Sequence, residues 1–261
     1  MKFVRINTSN GIQNGVVKNN SVCIISGDIF SNWQYTGESV PLDMAQLQAP
    51  LKPESILCIG RNYKAHALEC GNDLPKTPVL FIKANSSLCG PNEDVVIPCK
   101  FTQQADYEAE LAVIIGKKAK CVSENEAMEY VFGYTCANDV SARDCQYENG
   151  QWARGKSFDT FCPLGPWIET ELDPLDLEIT GRRNGKVVQN SRTSLMIFPI
   201  PRLISYLSQT MTLLPGTVLL TGTPAGVVLG KKDDPDWLRD GERFDVEIEG
   251  IGTLSSTFVS R

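Results

Sequence analysis

The feature that most constrains the fold is a set of short, almost wholly apolar runs rich in β-forming residues. They are ILCIG (56–60), PVLFIKA (78–84), ELAVIIG (110–116) and TVLLTG (217–222). Runs of this length are typical of strands rather than helices, and a strand without a polar face is buried on both sides. The runs therefore predict a sheet whose central strands are covered on both faces.

Two turn signals predict β-hairpins. Asn19-Asn20 separates two short apolar runs near the N-terminus, and Asn184-Gly185 separates two more in the second half of the chain. Asparagine and glycine are favoured there because tight hairpin turns need left-handed backbone. After a proline-rich connection, the short β-rich apolar runs become more frequent. We therefore expect a small N-terminal β domain at residues 1–50 and a second domain at residues 51–261.

Helix signals are few. Ser123 and Glu126 have the spacing of a capping box, which predicts a helix over residues 123–132. Pro201 is at a plausible first-turn position, and the apolar periodicity after it predicts a second helix that ends before Pro215. Together with the apolar runs, these signals predict an α+β protein with few helices.

Composition excludes several classes of partner. The 261 residues carry a net charge of −6 and no basic run, so we expect neither nucleic acid nor an anionic membrane as a partner. No apolar run approaches the roughly 20 residues of a membrane-spanning helix. The nine cysteines are odd in number and have no CxxC spacing, which is typical of reduced thiols in a cytoplasmic protein.

An acidic segment, ADYEAELAVIIG, precedes one of the apolar runs. On a strand, Asp106, Glu108 and Glu110 share a face, because alternate side chains point the same way. One interpretation is a solvated edge strand. The other is a site for Mg²⁺, Mn²⁺ or Ca²⁺, which prefer oxygen ligands, with Asp139 after the run VFGYTCA as a further ligand. With one histidine and no clustered thiols, a structural zinc site is not expected.

The single histidine of the chain, His66, is followed three residues later by Glu69. A lone histidine is most often a surface residue or a hydrogen-bonded core residue. On a helix, however, positions i and i+3 share a face, so Glu69 can orient the imidazole and raise its basicity. The spacing therefore keeps a general-base pair open as the alternative.

Several ordered motifs resemble the fumarylacetoacetate hydrolase family in its short, prokaryotic-type form. The motifs are GRNYKAHALE, PVLFIKANSS, DYEAELAVIIG, GYTCANDVSARDCQ, WARGKSFDTFCPLGPW and SLMIFPIPRLISYLSQTMTLLPGTVLLTGTPAGV. Together they cover most of residues 53–228. The resemblance implies a mixed β-roll or β-sandwich core of the fumarylacetoacetase C-terminal-like type.

The resemblance also implies roles for individual residues. The implied ligands of Mg²⁺ or Mn²⁺, with Ca²⁺ as a substitute, are Glu108, Glu110 and Asp139. The implied catalytic residues are His66, Glu69 and Lys156. The implied substrate contacts are Arg61, Lys83, Arg143, Gln146 and Thr223. Asp106 belongs to the motif but is not counted as a ligand.

The resemblance implies an enzyme that acts on short 2-oxo acids and assembles as a homodimer. Hydrolysis of acylpyruvates and other 2,4-dioxo acids is the leading expectation, with metal chelation, a stabilised enolate and water activated by His66 and Glu69. Oxaloacetate decarboxylation, isomerisation of 2-hydroxyhepta-2,4-diene-1,7-dioate and a non-catalytic metal-binding relative are the alternatives. Two departures from the family pattern, Thr217 and a longer segment after Val227, bear on the fit of the substrate.

Overall fold

The computed structural model describes residues 1–231 and 233–261. The strands in these residues are β1 Lys2–Thr8, β2 Gly11–Lys18, β3 Ser21–Gly27, β4 Trp33–Pro41, β5 Gln46–Gln48, β6 Ile56–Gly60, β7 Val79–Lys83, β8 Leu88–Cys89, β9 Asp94–Ile97, β10 Ala105–Asp106, β11 Ala109–Ile115, β12 Val131–Asn138, β13 Ser141–Ala142, β14 Cys162–Glu169, β15 Glu178–Arg183, β16 Lys186–Arg192, β17 Val218–Leu220, β18 Arg243–Ile248 and β19 Gly252–Ser260. The α-helices are α1 Lys64–Glu69, α2 Arg143–Tyr147, α3 Ala153–Lys156 and α4 Ile200–Thr210. Short 3₁₀ turns occur at Leu42–Met44, Asn85–Ser87, Ala127–Tyr130, Thr193–Leu195 and Val228–Gly230.

The described strands form a 12-stranded sheet, a 5-stranded sheet and a 2-stranded sheet. In the large sheet the order is β4-β3-β2-β1-β14-β12-β11-β17-β6-β7, with β5 paired to β1 and β8 paired to β14. The smaller sheet has the order β16-β15-β18-β19-β9, and β10 pairs with β13. Because sheet dominates and the α-helices are few and short, the predicted α+β class is confirmed.

Strand β11 shows why the apolar runs have no polar face. All seven of its residues are buried. Leu111 and Val113 join a core shared with the smaller sheet and α4, whereas Ala112 and Ile114 join a second core on the opposite face. This alternation is the period-2 geometry of a strand covered on both sides. It confirms the prediction from ELAVIIG.

The run PVLFIKA behaves differently, so the prediction of a strand covered on both faces is wrong there. Its strand, β7, lies at the edge of the large sheet and pairs only with β6 in the described part of the chain. Leu80 and Ile82 remain exposed, the latter by 54%. Apolar composition therefore identified the strand but did not distinguish the edge from the centre of the sheet.

Both predicted hairpins are confirmed. Asn19 and Asn20 have φ values of 48° and 59°, and they join β2 to β3. Asn184 and Gly185 have φ values of 50° and 78°, and they join β15 to β16. The left-handed backbone at all four positions is the reason that asparagine and glycine are favoured in such turns.

One of the two helix predictions is confirmed. Helix α4 has Pro201 in its first turn. The helix expected over residues 123–132 is reduced to the 3₁₀ turn, and β12 begins directly after it, because Val131 pairs with Ile115 of β11. The Ser123 hydroxyl donates to the Glu126 carboxylate at 2.6 Å instead of capping a helix. Sheet pairing thus overrides the local helix signal.

The N-terminal strands extend the large sheet, because Lys2 and Phe3 of β1 pair with Glu169 and Ile168 of β14. The division of the chain at residue 50 stays a prediction.

Among the helices of the described residues, none combines the length and apolar character needed to cross a membrane.

Candidate functional site

The acidic segment folds into two short strands rather than one. Strand β10 ends at Asp106 and β11 begins at Ala109, so Glu108 lies in the break between them. The Glu108 backbone N–H donates to the Asn138 side chain at 3.0 Å, which ties the break to the end of β12. The expectation of one continuous strand face is therefore wrong, because Asp106 follows a different pairing from the residues of β11.

The carboxylates of Glu108, Glu110 and Asp139 meet at this break. One carboxylate oxygen from each of the three residues lies within 4.8 Å of those from the other two. Antiparallel pairing of Ala109 with Asn138 brings the two strand ends together. The three residues are only 5%, 2% and 0% exposed, so the interpretation as a solvated edge strand is wrong.

Buried cations neutralise most of this charge. The Lys156 ammonium donates to Glu108 and Asp139, both at 2.8 Å, and Lys83 donates to Asp139 at 2.6 Å. Arg143 lies 2.8 Å from Glu108. In the described residues Glu110 has no such ion pair and accepts only the Gly222 backbone N–H, at 2.7 Å. One carboxylate is therefore left without a cation.

The pKa values of the two glutamates diverge accordingly. Burial, together with the charges of Asp139 and Glu108, raises the pKa of Glu110 well above its ordinary value. Burial also works against ionisation of Glu108, but the charges of Lys156 and Arg143 outweigh it and lower its pKa to about 2. A divalent cation would supply the charge that Glu110 lacks, and an all-oxygen donor set suits Mg²⁺, Mn²⁺ or Ca²⁺. The residues therefore fit a metal ion.

His66 and Glu69 lie on the short helix α1, as the spacing predicts. Nδ1 of His66 is 3.0 Å from a Glu69 carboxylate oxygen. The Gly226 backbone N–H donates to the same carboxylate, at 2.9 Å to its second oxygen. Because Nδ1 faces Glu69, Nε2 is the ring nitrogen left to exchange a proton with a ligand. His66 is 8% exposed and belongs to a paired site, not to the solvated surface.

The loop at residues 221–230 connects the two clusters through its backbone. Gly222 donates to Glu110 and Gly226 donates to Glu69, while Val228 and Leu229 donate to Asp106 at 2.8 and 3.0 Å. These backbone donors hold each carboxylate in place. The loop at residues 221–230 thus organises three acidic residues.

A small cavity of about 30 Å³ joins the clusters. Its wall includes residues of the carboxylate cluster, of the dyad and of the predicted substrate contacts, namely His66, Glu108, Glu110, Lys156, Arg61, Arg143, Gln146 and Thr223. Lys83 is not in this wall; its ammonium lies behind Asp139 and also donates to the Val140 carbonyl at 3.1 Å.

The family model described as fumarylacetoacetate (FAA) hydrolase C-terminal matches residues 55–259. The chain belongs to the fumarylacetoacetate hydrolase family. A second model, described as Rv2993c-like, N-terminal, matches residues 1–50.

Relatives in this family carry several different activities in their names. The mitochondrial oxaloacetate tautomerase fahd2 of Xenopus laevis is 48% identical over 219 residues, which is 82% of this chain and 68% of that protein. The solved 5-carboxymethyl-2-hydroxymuconate delta-isomerase of Mycobacterium smegmatis is 41% identical, with a TM-score of 0.91 and full coverage of both chains. The fumarylacetoacetate hydrolase of Exiguobacterium antarcticum is 37% identical, also with a TM-score of 0.91 and full coverage of both. The named relatives thus include a tautomerase, an isomerase and a hydrolase.

Four of the five predicted substrate contacts, Lys83, Arg143, Gln146 and Thr223, have internal partners. The Thr223 hydroxyl donates to the Ala109 carbonyl at 3.0 Å and accepts from Gln189 at 2.8 Å. The Gln146 side-chain oxygen accepts from Arg143 at 3.0 Å. Arg61 differs, because its guanidinium lies over the Trp152 ring, 5.3 Å from the centroid, and its φ is 58°. Left-handed backbone at a non-glycine residue is uncommon and concentrates at functional sites.

The sequence did not indicate the structural role of Asp106, which holds the loop and orients Arg143. Its carboxylate accepts the Arg143 side chain at 2.9 Å in addition to the backbone N–H groups of Val228 and Leu229. It therefore holds the loop and orients an arginine that reaches Glu108. The motif position of Asp106 was visible in the sequence, but its partners lie 37 to 123 residues away along the chain.

The two departures from the family pattern have different locations. Thr217 lies beside Ser55, 3.3 Å between the hydroxyls, and outside the cavity wall. The longer segment after Val227 contributes Leu229 to the wall, and its Leu238 backbone N–H donates to Ala105. Lys232 of that segment lies outside the described residues.

Proposed function

We propose that this enzyme transfers a proton at the carbon beside the keto group of a short 2-oxo dicarboxylic acid, interconverting its keto and enol forms. Oxaloacetate is the substrate that we test first. The observation that carries the proposal is that His66, which is hydrogen-bonded to Glu69, lines the same small cavity as Glu108 and Glu110 of the carboxylate cluster. Proton transfer needs a base and a group that stabilises enolate charge, and it needs no second reactant.

The metal ligands in this proposal are Glu108, Glu110 and Asp139, and the ion is Mg²⁺ or Mn²⁺, with Ca²⁺ as a substitute. When bound, such an ion acts as a Lewis acid that stabilises negative charge on the keto oxygen. Lys156 bridges Glu108 and Asp139 from the protein side and fixes both carboxylates. Lys83 positions Asp139 in the same way and does not touch the substrate.

His66 is the base. Its Nδ1 is held by Glu69, so Nε2 takes a proton from the substrate carbon and delivers it to the enolate oxygen, or moves it from oxygen to carbon in the reverse direction. The carboxylate keeps the ring in one orientation and stabilises the imidazolium that forms. A positioned base of this kind contributes about 10²–10⁴-fold to the rate.

Arg61 binds the carboxylate of the substrate that is remote from the keto group. In the described part of the chain it forms no ion pair, whereas Arg143 is already engaged by Asp106 and Glu108. A guanidinium suits a carboxylate because it offers two parallel donors. Arg143 and Gln146 also line the cavity and contact the substrate there, while Arg143 orients Glu108 and is itself hydrogen-bonded to Gln146.

Hydrolysis of acylpyruvates is the second candidate and stays a prediction. The same base can take a proton from water instead of carbon, and the relative from Exiguobacterium antarcticum is named as a hydrolase. Decarboxylation of oxaloacetate and a non-catalytic metal-binding role are weaker candidates. A catalytic role is favoured because the base, its carboxylate partner and the buried lysine are all present.

The deciding experiment follows enol-oxaloacetate and an acylpyruvate in parallel assays with Mg²⁺. We expect loss of the enol absorbance at a rate above the spontaneous one, dependence on the divalent ion and a slower reaction, or none, with the acylpyruvate. Glu110→Gln is the control, since it should abolish activity by removing a ligand. Turnover of the acylpyruvate alone would replace the tautomerase proposal with the hydrolase one.

We also propose a homodimer, as the family resemblance implies and as two-fold symmetry makes common. The exposed apolar side chains of edge strand β7, Leu80 and Ile82, support an interface there. Light scattering at micromolar concentration should give twice the chain mass of 28.8 kDa. A cytoplasmic location and a separate N-terminal domain at residues 1–50 stay predictions.

A further inference from the structure

Cys70 follows the dyad directly and completes a second cluster of ligand atoms. His66, Glu69 and Cys70 are at positions i, i+3 and i+4, and α1 ends at Glu69. The Cys70 sulfur lies 3.9 Å from Nδ1 of His66, and the sulfur, imidazole and carboxylate ligand atoms all lie within 4.8 Å of one another. Cys70 also lines the cavity, so the cluster is reachable from it.

The donor set differs in kind from the carboxylate cluster. A thiolate, an imidazole and a carboxylate are the ligands of zinc-type ions, and three such ligands with an open fourth position are common in zinc sites. Mg²⁺ prefers an all-oxygen shell and has no preference for sulfur. The two clusters therefore select different cations, although they face the same cavity.

The surrounding charge favours a cation at this second cluster. Negative charge near the Cys70 thiol comes from Glu69, Glu108 and Asp106, and the positive charge of Arg143 opposes it. Burial raises the pKa of the thiol to about 12, so the proton stays on the sulfur until a cation displaces it into solvent. A carboxylate has about four lone-pair positions, so Glu69 can keep its bond from Gly226 and still offer an oxygen.

We propose that His66, Glu69 and Cys70 form an inhibitory site for Zn²⁺ or another thiophilic divalent ion. When the ion is bound, the His66 imidazole and the Glu69 carboxylate are its ligands, so His66 no longer acts as the base in proton transfer. The binding claim stands on the cluster alone, whereas the inhibition claim rests on the proposed function. Cys70 acts as the selective ligand, because it supplies the only sulfur of the cluster.

The binding claim is tested with Co²⁺ as a spectroscopic probe on the full chain saturated with Mg²⁺. A thiolate ligand gives Co²⁺ a charge-transfer absorption in the near ultraviolet, whereas oxygen and nitrogen ligands do not. We expect this band in the wild type, its loss in Cys70→Ser and Cys70→Ala, and its retention when the exposed Cys99 and Cys121 are replaced by serine. Absence of the band in the wild type, or its persistence in both Cys70 variants, overturns the site.

The inhibition claim uses Zn²⁺ titration of activity under excess Mg²⁺. Loss of an outer-shell partner typically lowers metal affinity by roughly 10–100-fold, so loss of a ligand should raise the inhibitory Zn²⁺ concentration at least about 10-fold in Cys70→Ser. Equal inhibition of wild type and Cys70→Ser would place the effect at the carboxylate cluster and overturn this claim. If no activity is found on oxaloacetate, the proposed function fails while the Co²⁺ band still decides the site.

Discussion

The carboxylate cluster and the dyad helix share a cavity but are built in opposite ways. In the carboxylate cluster, partners such as Lys83 and Asp139 are 56 residues apart, fully buried and held by strands in fixed register. In the dyad, the partners are three residues apart on a six-residue helix, and their side chains are 10% and 21% exposed. We therefore expect substitutions in the carboxylate cluster to lower both the stability of the fold and the activity. Substitutions in the dyad should lower the activity but leave the stability nearly unchanged.

The largest effect is expected for Lys156→Met, which keeps the apolar stem and removes a charge shared by Glu108 and Asp139. Breaking a buried ion pair typically costs about 3–5 kcal/mol, because the remaining charges stay buried. The free energy of unfolding in urea without divalent ions should fall by about this amount, and activity should be lost with it.

Lys118→Met is the matched control, because Lys118 is exposed and its replacement should change the unfolding free energy by less than about 0.5 kcal/mol. Saturating Mg²⁺ should stabilise Lys156→Met more than the wild type, since it restores positive charge between the carboxylates. Equal stability of the two lysine variants would contradict the assignment of Lys156 to a cluster that stabilises the fold.

Glu110→Gln should separate the contribution of the carboxylate cluster to stability from its contribution to metal binding. This carboxylate lacks an ion pair within the described residues, and a glutamine oxygen can still accept from Gly222. Because the substitution removes repulsion from Glu108 and Asp139, the unfolding free energy without metal should stay the same or rise. Titration calorimetry should show that Mg²⁺ affinity falls by at least about 10-fold.

Glu108→Gln provides the contrast, because Glu108 is paired with Lys156 and Arg143. It should lose both stability and Mg²⁺ affinity. If Glu110→Gln destabilises the chain as much as Glu108→Gln does, the distinction between a paired and an unpaired ligand is wrong.

The smallest effect is expected for Glu69→Gln in the dyad. The amide oxygen can still accept from Gly226, but the charge that stabilises an imidazolium is lost. Turnover should fall by roughly 10-fold, by analogy with lost orienting partners, while the unfolding free energy changes by less than about 1 kcal/mol. A stability loss as large as that of Lys156→Met would remove the difference between the two regions.

The same contrast explains how much the sequence could predict. The dyad and the two hairpins depend on residues within a few positions of one another, so spacing predicted the hairpins and kept the dyad open until the family resemblance favoured it. The burial of Glu108 and Glu110 and the pairing of Lys83 with Asp139 depend on which strands are neighbours. Spacing cannot supply that information.

Two wrong expectations have the same cause. The helix expected at residues 123–132 is replaced by the pairing of β12 with β11. PVLFIKA is an edge strand because β7 lies at the end of the sheet. In both places, long-range strand pairing decides the structure.

The loop at residues 221–230 acts through backbone N–H groups, which every residue except proline carries. Its organising part therefore left no signal in side-chain identity.

The most direct test of the central claim measures enol-oxaloacetate turnover and Mg²⁺ affinity on the same preparations of wild type and His66→Ala. We expect the turnover number of His66→Ala to fall by about 10²-fold or more while Mg²⁺ affinity is unchanged, because we propose His66 as the base and the carboxylate cluster as the metal site. Full turnover without His66 would contradict the assignment of the base. A parallel loss of Mg²⁺ affinity would contradict the separation of the two regions.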